Sequence, residues 1–300
     1  MEKLIDLHIH TNCSDGALTP KEIIDEAYKN GINTIAICDH DTTEAYQEEI
    51  FNYAKEKNIN LIVGVEISTK AKKYGVHVLG YNFDLNNKEF QEKLYTIRNA
   101  RHIYLRKVAT KLEEAGYKID VERLDKIDAV SKAHIAYDVI ENKENESKLE
   151  EVFGHIPDMG EFIETIMNED CPCYVRKETI SPKEASELIH HAGGKVVLAH
   201  PVAYTYEDNL TEKDIDDLVI DMKPDGIETN YIYIDKNNIK HNDIALWNNF
   251  AKKHNLQTTV GSDFHRKDNI HPYLGLIGED INLTSEEIEQ MINFLLEDYN

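Results

Sequence analysis

Histidines and carboxylates recur along this chain in short ordered groups: His8-Ile9-His10 with Asp15, Asp39-His40, Glu66, His77, His200, and Asp263 with His265. Side chains at i and i+2 of a strand point to the same face, so His8 and His10 face one way while Ile9 packs the other. Two imidazoles so placed can share one divalent ion. A lone histidine reads as a hydrogen-bonded core or surface residue, and 14 histidines in 300 residues produce close pairs by chance, as His190-His191 in a predicted helix shows. The ordered set, and not any single pair, points to a metal centre.

The elements that must position these residues alternate. Lys3–His10, Asn33–Cys38 and Asn60–Ile67 read as buried strands, with Val76–Tyr81 a fourth. Between them Thr19-Pro20-Lys21-Glu22 gives an N-cap, a first-turn proline and a capping-box glutamate for a helix to about Asn30, and Thr43–Lys57 reads as an amphipathic helix. From about Asn86 to Lys177 strand signals nearly vanish and charged amphipathic stretches take over, including Asn87–Gly116, Val130–Glu141 and Asp158–Asn168. Alternation then resumes: a helix capped by Ser181, strand Lys195–Ala199, helix Thr211–Met222, strand Gly226–Thr229, helix Lys236–Asn255, strand Gln257–Gly261 and a last helix capped by Thr284. Such alternation predicts an α/β fold with parallel strands, as a closed barrel or an open doubly wound sheet. Histidines and acids at the ends of six strands favour the barrel, whose reactive groups gather from several C-terminal strand ends, whereas an open sheet needs one switch point only. The expected domains are a barrel of residues 1–85 and 178–300 and a helical insertion, 86–177, acting as a substrate-selecting lid.

Composition sets the outer bounds. With 33 Lys+Arg against 56 Asp+Glu the formal charge is −23, which argues against wrapping duplex nucleic acid through phosphate contacts. No apolar stretch approaches the roughly 18 residues of a bilayer span, so no membrane partner and a cytoplasmic location are expected. Four scattered cysteines, among them Cys171-Pro-Cys173, read as reduced thiols and not as a disulfide framework.

Taken in order, Asp6-Leu7-His8-Ile9-His10-Thr11 with Ser14-Asp15-Gly16, Cys38-Asp39-His40-Asp41-Thr42, Gly64-Val65-Glu66, Leu198-Ala199-His200-Pro201 and Gly261-Ser262-Asp263-Phe264-His265 resemble the PHP (polymerase and histidinol phosphatase) family. The likeness is greatest to its stand-alone phosphoesterases acting on nucleotides, and Pro182–Pro201 and Asp225–Asn230 extend it over nearly the whole chain. The resemblance implies a distorted seven-stranded (β/α)7 barrel with a helical insertion and two to three divalent ions. It places metal ligands at His8, His10, Asp15, His40, Glu66 as the bridging carboxylate, His77, His200, Asp263 and His265. Imidazole and carboxylate without thiolate suit Mn²⁺, Zn²⁺ or Fe²⁺, and a bridged pair about 3.5–4 Å apart acidifies a water and presents hydroxide for in-line attack on phosphorus. Their positive charge attracts a small phosphorylated substrate despite the acidic surface.

Other residues carry two readings each. Asp39 reads either as a carboxylate receiving the free N–H of a ligating imidazole or as a helix-start acid, and Asp41 shares that ambiguity. Ser131-Lys132-Ala133-His134 stands where nucleotide-acting relatives carry Arg-Pro-His-x-Ala, so the resemblance assigns Lys132 to the phosphate and His134 to the phosphate and the leaving oxygen, with Asp263 the third catalytic residue. A lysine there offers a point charge where arginine offers a bidentate fork; its plain alternative is a solvated helix lysine. Tyr231 and Tyr233 read as a stacking wall for a base or as packing residues, and Arg98 and Arg101, three apart on a predicted helix, as a phosphate clamp or a solvated face. The functional reading is a metal-dependent phosphoesterase of a mononucleotide, a 3′,5′-bisphosphate or a short oligoribonucleotide. The alternatives are a histidinol-phosphate-type or other small phosphomonoester phosphatase, an amidohydrolase-like hydrolase, which usually relies on a bridging lysine not seen at these strand ends, and a metal-stabilised binding module.

Overall fold

The computed structural model describes residues 4–127, 130–176, 180–235, 237–267, 274–275 and 281–297. The chain divides into two compact units, Met1–Lys93 with Ile180–Asn300, and Leu94–Thr179. The first boundary falls inside one helix, Lys88–Glu114, later than the expected start at 86. The expected end at 177 lies outside the described residues.

The first unit is built on a seven-stranded, mostly parallel sheet. Its strands are β1 (Leu4–Ile9), β2 (Ile32–Ile37), β3 (Asn60–Ala71), β4 (Tyr74–Tyr81), β5 (Lys195–Leu198), β6 (Gly226–Asn230) and β9 (Gln257–Val260), hydrogen-bonded in that order. β7 (Tyr233–Ile234) and β8 (Lys240–His241) form a separate two-stranded ribbon. Beyond the ladder, Ile9 at the end of β1 bridges to Phe264 after β9, where His10 N donates to Phe264 O at 2.9 Å. The apolar strand residues drive assembly: Ile5, Leu7, Ala36, Cys38, Leu79, Val197 and Val260 pack in one cluster with Met291 and Leu295 of the last helix, Ser285–Leu296. Helix starts follow the sequence signals. Thr19, Ser181 and Thr284 each form a reciprocal capping box, with Glu22, Glu184 and Glu287 respectively.

Three expectations are corrected. β4 is antiparallel to both β3 and β5, because β3 continues past Ile67 and reverses through Lys72, whose φ is 54°. Thr43–Lys57 is not one helix, since the helix spans only Glu48–Glu56. The Tyr46 hydroxyl lies 2.8–2.9 Å from the N–H groups of Ile37 and Gly64 and 2.7–2.9 Å from the carbonyls of Ile37 and Ile62, so residues 43–47 form a turn that ties β2 to β3. The helix expected from Lys236, which lies outside the described residues, begins at Ile244, because Lys240–His241 is spent on the ribbon.

The second unit is helical among its described residues. Tyr104, Leu105, Val108 and Leu112 of the long helix share a core with Ile135, Val139, Leu149 and Phe162. The amphipathic stretch Asp158–Asn168 holds an α-turn at Met159–Phe162 followed by a π-turn at Ile163–Met167.

Candidate metal centre

Most residues of the ordered set sit near a strand end or in the loop just after it, but Glu66 and His77, expected at strand ends, lie within β3 and β4, because both strands run on past the site as an antiparallel pair. Asp6, His8 and His10 alternate with Ile5, Leu7 and Ile9, and all six are buried. After His10 the chain turns back on itself, with Ser14 N and Gly16 N donating to Thr11 O at 3.1 and 2.9 Å, which returns Asp15 toward His10. The turn admits no side chain at Gly16, where a Cβ would stand 2.5 Å from His10 O. Asp39 holds this turn in place: it accepts from Thr11 N at 2.7 Å, Thr11 Oγ1 at 2.6 Å and Ser14 Oγ at 2.5 Å. It therefore plays neither role expected of it, while Asp41 Oδ1 accepts from Ser68 N at 2.8 Å. His40 leaves β2 beside Glu66 of β3, His77 lies on β4, and His200, Asp263 and His265 follow β5 and β9. Positive φ angles at Asp41 (53°), His200 (23°) and Asp263 (52°) mark sharp turns after three of these strands, a strained geometry that packing around a site sustains.

All nine side chains converge in the first unit, in three overlapping sets and one adjoining contact. The sets are His10, Asp15, His40 and His265; His8, His10, Glu66 and Asp263; and His40, Glu66 and His77, with donor atoms of each set within 4.8 Å of one another. His200 joins through Nε2, 3.2 Å from Glu66 Oε1. Glu66 is the hub. Its Oε1 faces His77 Nδ1 at 2.9 Å, and its Oε2 faces His40 Nδ1, His10 Nε2 and His8 Nε2 at 3.1, 3.2 and 3.4 Å.

These separations fit metal ligation. Around His8 Nε2, His10 Nε2, Glu66 Oε2 and Asp263 Oδ1 the measured edges run from 3.1 to 3.4 Å. A tetrahedron with arms of about 2.0 Å has edges of about 3.3 Å. His40 Nδ1 and Glu66 Oε2 stand 3.1 Å apart without hydrogen-bonding each other, and neither has another hydrogen-bond partner among the described residues. Buried polar atoms in proteins are rarely orphaned, so lone pairs that converge on a common point are accounted for by a cation there.

Charge is concentrated accordingly. Burial opposes ionisation of His8, but Glu228, Glu66 and Asp263 outweigh it and hold the imidazole well above its usual range. Burial likewise opposes charge on His10, which the neighbouring carboxylates of Asp263 and Glu66 raise to about 10. Glu66, Asp15 and Asp263 overcome burial through the surrounding imidazoles and lie well below the usual carboxylate range. His40 is pushed down to about 3 by burial, with His10 and His77 adding to it against Glu66 and Asp15. Protons and a divalent cation thus compete for the same nitrogens.

The remaining expected residues divide. Tyr231 reaches the site, its hydroxyl 3.4 Å from Asp263 Oδ2, but it is buried against His200 and offers no open face for stacking. Tyr233 instead bonds Glu207 at 3.0 Å and belongs to a ring group with Tyr206 and His241. Lys132, His134, Arg98 and Arg101 all lie in the second unit. Lys132 Nζ donates to Asn168 Oδ1 at 3.0 Å, His134 Nδ1 accepts from Ser131 N at 3.1 Å in a helix cap, and Arg101 is buried. Two buried acids escaped the sequence reading. Asp6 accepts from Ser262 N, Ser262 Oγ, Gly275 N and His8 N, and burial raises its pKa to about 6. Glu228 stands against His8 Nδ1. Their signal was present, since each is a charged residue within an apolar strand pattern.

Comparison with known proteins gives the family. The PHP domain profile matches residues 6–194. The chain is 33% identical over 270 residues to a 5′-3′ exoribonuclease of Haemophilus influenzae, covering 88% of this chain and 91% of that one. It is 29% identical over 265 residues to a 3′,5′-nucleoside bisphosphate phosphatase of Chromobacterium violaceum, covering 87% of both. In fold it is like a solved chain from Bifidobacterium adolescentis, with a TM-score of 0.75 at 22% identity over 98% of this chain and 97% of that one. With the profile matching well over half its length and a relative above 30% identity matching nearly all of it, the chain belongs to the PHP domain family and is a metal-dependent phosphoesterase.

Proposed function

We propose that the chain hydrolyses phosphate esters of small nucleotides, whether a mononucleotide, a 3′,5′-bisphosphate or a short oligoribonucleotide, in the cytoplasm. The observation that carries this is Glu66, whose two oxygens face two different sets of imidazoles, as a carboxylate shared between ions does. The relatives named for oligoribonucleotide and nucleoside bisphosphate substrates supply the substrate class.

His8, His10, Asp15, His40, Glu66, His77, His200, Asp263 and His265 would hold two to three ions of Mn²⁺, Zn²⁺ or Fe²⁺. Bound there, such ions supply positive charge to phosphoryl oxygens and an acidified water as nucleophile. The sheet would close as a distorted seven-stranded barrel through the Ile9–Phe264 bridge, which keeps the strand ends around one centre.

The chain's own groups have separate tasks in this reading. Asp263, held by the Tyr231 hydroxyl, is positioned to accept a proton or orient a ligand. His134 gives a proton to the leaving oxygen. Because Nδ1 accepts from the Ser131 N–H, the proton of the neutral ring sits on Nε2, the nitrogen that would donate. Lys132 supplies charge to the phosphate, with Arg98 and Arg101 as further contacts and the helical unit as the substrate-selecting lid. The test is a screen of metal-supplemented protein against nucleoside bisphosphates, short oligoribonucleotides, mononucleotides and histidinol phosphate. A higher kcat/KM on a nucleotide class is expected, and a preference for histidinol phosphate overturns the substrate assignment.

A further inference from the structure

We propose that Glu228 is a positioning residue that fixes the tautomer and ring orientation of His8, so that Nε2 and not Nδ1 is offered to a divalent cation. The inference rests on the reading of His8 as a metal ligand.

Glu228 lies on β6 and is fully buried, as is His8 on β1. Both carboxylate oxygens stand close to His8 Nδ1, at 3.2 and 3.3 Å, and Oε2 also accepts from the backbone N–H of His200 at 2.9 Å. A buried carboxylate needs hydrogen-bond donors, and here they are one ring N–H and one backbone N–H. With the proton of His8 on Nδ1, its Nε2 lone pair is left facing Glu66 Oε2, Asp263 Oδ1 and His10 Nε2. The same carboxylate fixes the backbone that carries His200, whose ring stacks on His8 with centroids 5.7 Å apart and whose Nε2 approaches the other oxygen of Glu66. One residue thereby sets two rings on either side of the hub. The fit leaves no slack: a Cβ on Gly261 would stand 2.3 Å from Glu228 Oε1 and 2.3 Å from His8 Cβ.

Glu228→Gln tests this because an amide has one acceptor oxygen for two donors. If that oxygen takes the His200 N–H, the amide NH₂ faces His8 Nδ1 and favours the proton on Nε2, where it blocks the cation. Carboxylates that orient metal-bound histidines typically govern affinity by about 10–100-fold. Zn²⁺ affinity, measured per ion bound by competition with a chelator, should therefore fall by about that factor in Glu228→Gln, with the urea unfolding midpoint of the metal-free protein little changed. Glu228→Asp keeps the charge but is too short to reach both donors, and should fall between the two; it also serves if the glutamine variant does not fold. In a His8→Ala background the glutamine substitution should cost nothing further at that ion. Equal Zn²⁺ affinity in wild type and Glu228→Gln, or the same loss with and without His8, overturns the proposal. A wild-type protein that binds no Zn²⁺ at all overturns instead the metal reading beneath it.

Discussion

Gly261→Ala puts one methyl group against His8 and Glu228, at the residue just after β9. Its Cβ would lie 2.3 Å from Glu228 Oε1, 2.3 Å from His8 Cβ and 3.1 Å from His8 N. Carbon contacts settle at about 3.5–4.0 Å, so each neighbour must retreat by roughly 1 Å. His8 Cβ is held on a fully buried strand, so relief must come from a shift of the backbone at residue 261 together with displacement of the Glu228 carboxylate. That displacement carries the carboxylate's 3.2 Å contact with His8 Nδ1 beyond hydrogen-bonding distance. Overpacking of a filled core costs about 1–3 kcal/mol, and loss of a charged hydrogen bond adds to it, so a destabilisation of about 3 kcal/mol is expected. Trp247, the single tryptophan, is buried in the helix Ile244–His254 of the same unit, and its fluorescence during urea unfolding reports the change. Gly75→Ala is the control. Its Cβ meets nothing within 4 Å, and alanine in a strand interior is favoured over glycine by about 0.5–1 kcal/mol, so its midpoint should hold or rise. A Gly261→Ala protein with the wild-type midpoint and wild-type Zn²⁺ affinity would refute the reasoning.

Metal analysis after supplemented expression should give two to three divalent ions per chain, and content well below one ion would sink the assignment of all nine ligands. Asp39→Ala should release the Thr11–Gly16 turn and with it Asp15, lowering affinity at the His10, Asp15, His40 and His265 set while leaving the His8 set nearly unchanged; metal titration distinguishes this from a uniform loss. His134→Ala should lower kcat by about 10²–10⁴-fold for a nucleotide alkoxide leaving group and far less for an aryl phosphate, whereas Lys132→Ala should raise KM for both; equal losses on the two substrates would remove His134 as the acid. The capping-box carboxylate of Glu184 is held below its usual range by the Ser181 N–H and hydroxyl, so its stabilisation is present above about pH 4.5 and is lost as pH falls through its lower folded value. Ser181→Ala should accordingly cost about 1 kcal/mol at pH 7 and progressively less in acid, and a pH-independent cost would contradict the assignment.

What the sequence determined is what short range fixes. Period-two alternation in β1 put His8 and His10 on one face before any fold was known, and Thr19, Ser181 and Thr284 announced their helices because a capping box is closed within four residues. Strand direction was not legible, since periodicity is the same whichever way a strand runs, and β4 runs antiparallel because a turn at Lys72 reverses the chain. Nor were the partners of the buried acids. Asp39 finds Thr11 from 28 residues away and Glu228 finds His8 from 220, so only the assembly of the strands and their loops decided which carboxylate braces a turn, which faces a ring, and which, in Glu66, stands at the hub. Tyr231 shows the same limit. Its place after a strand end was readable, but whether its face met solvent or His200 depended on how neighbouring strands and loops packed, and tertiary burial decided it.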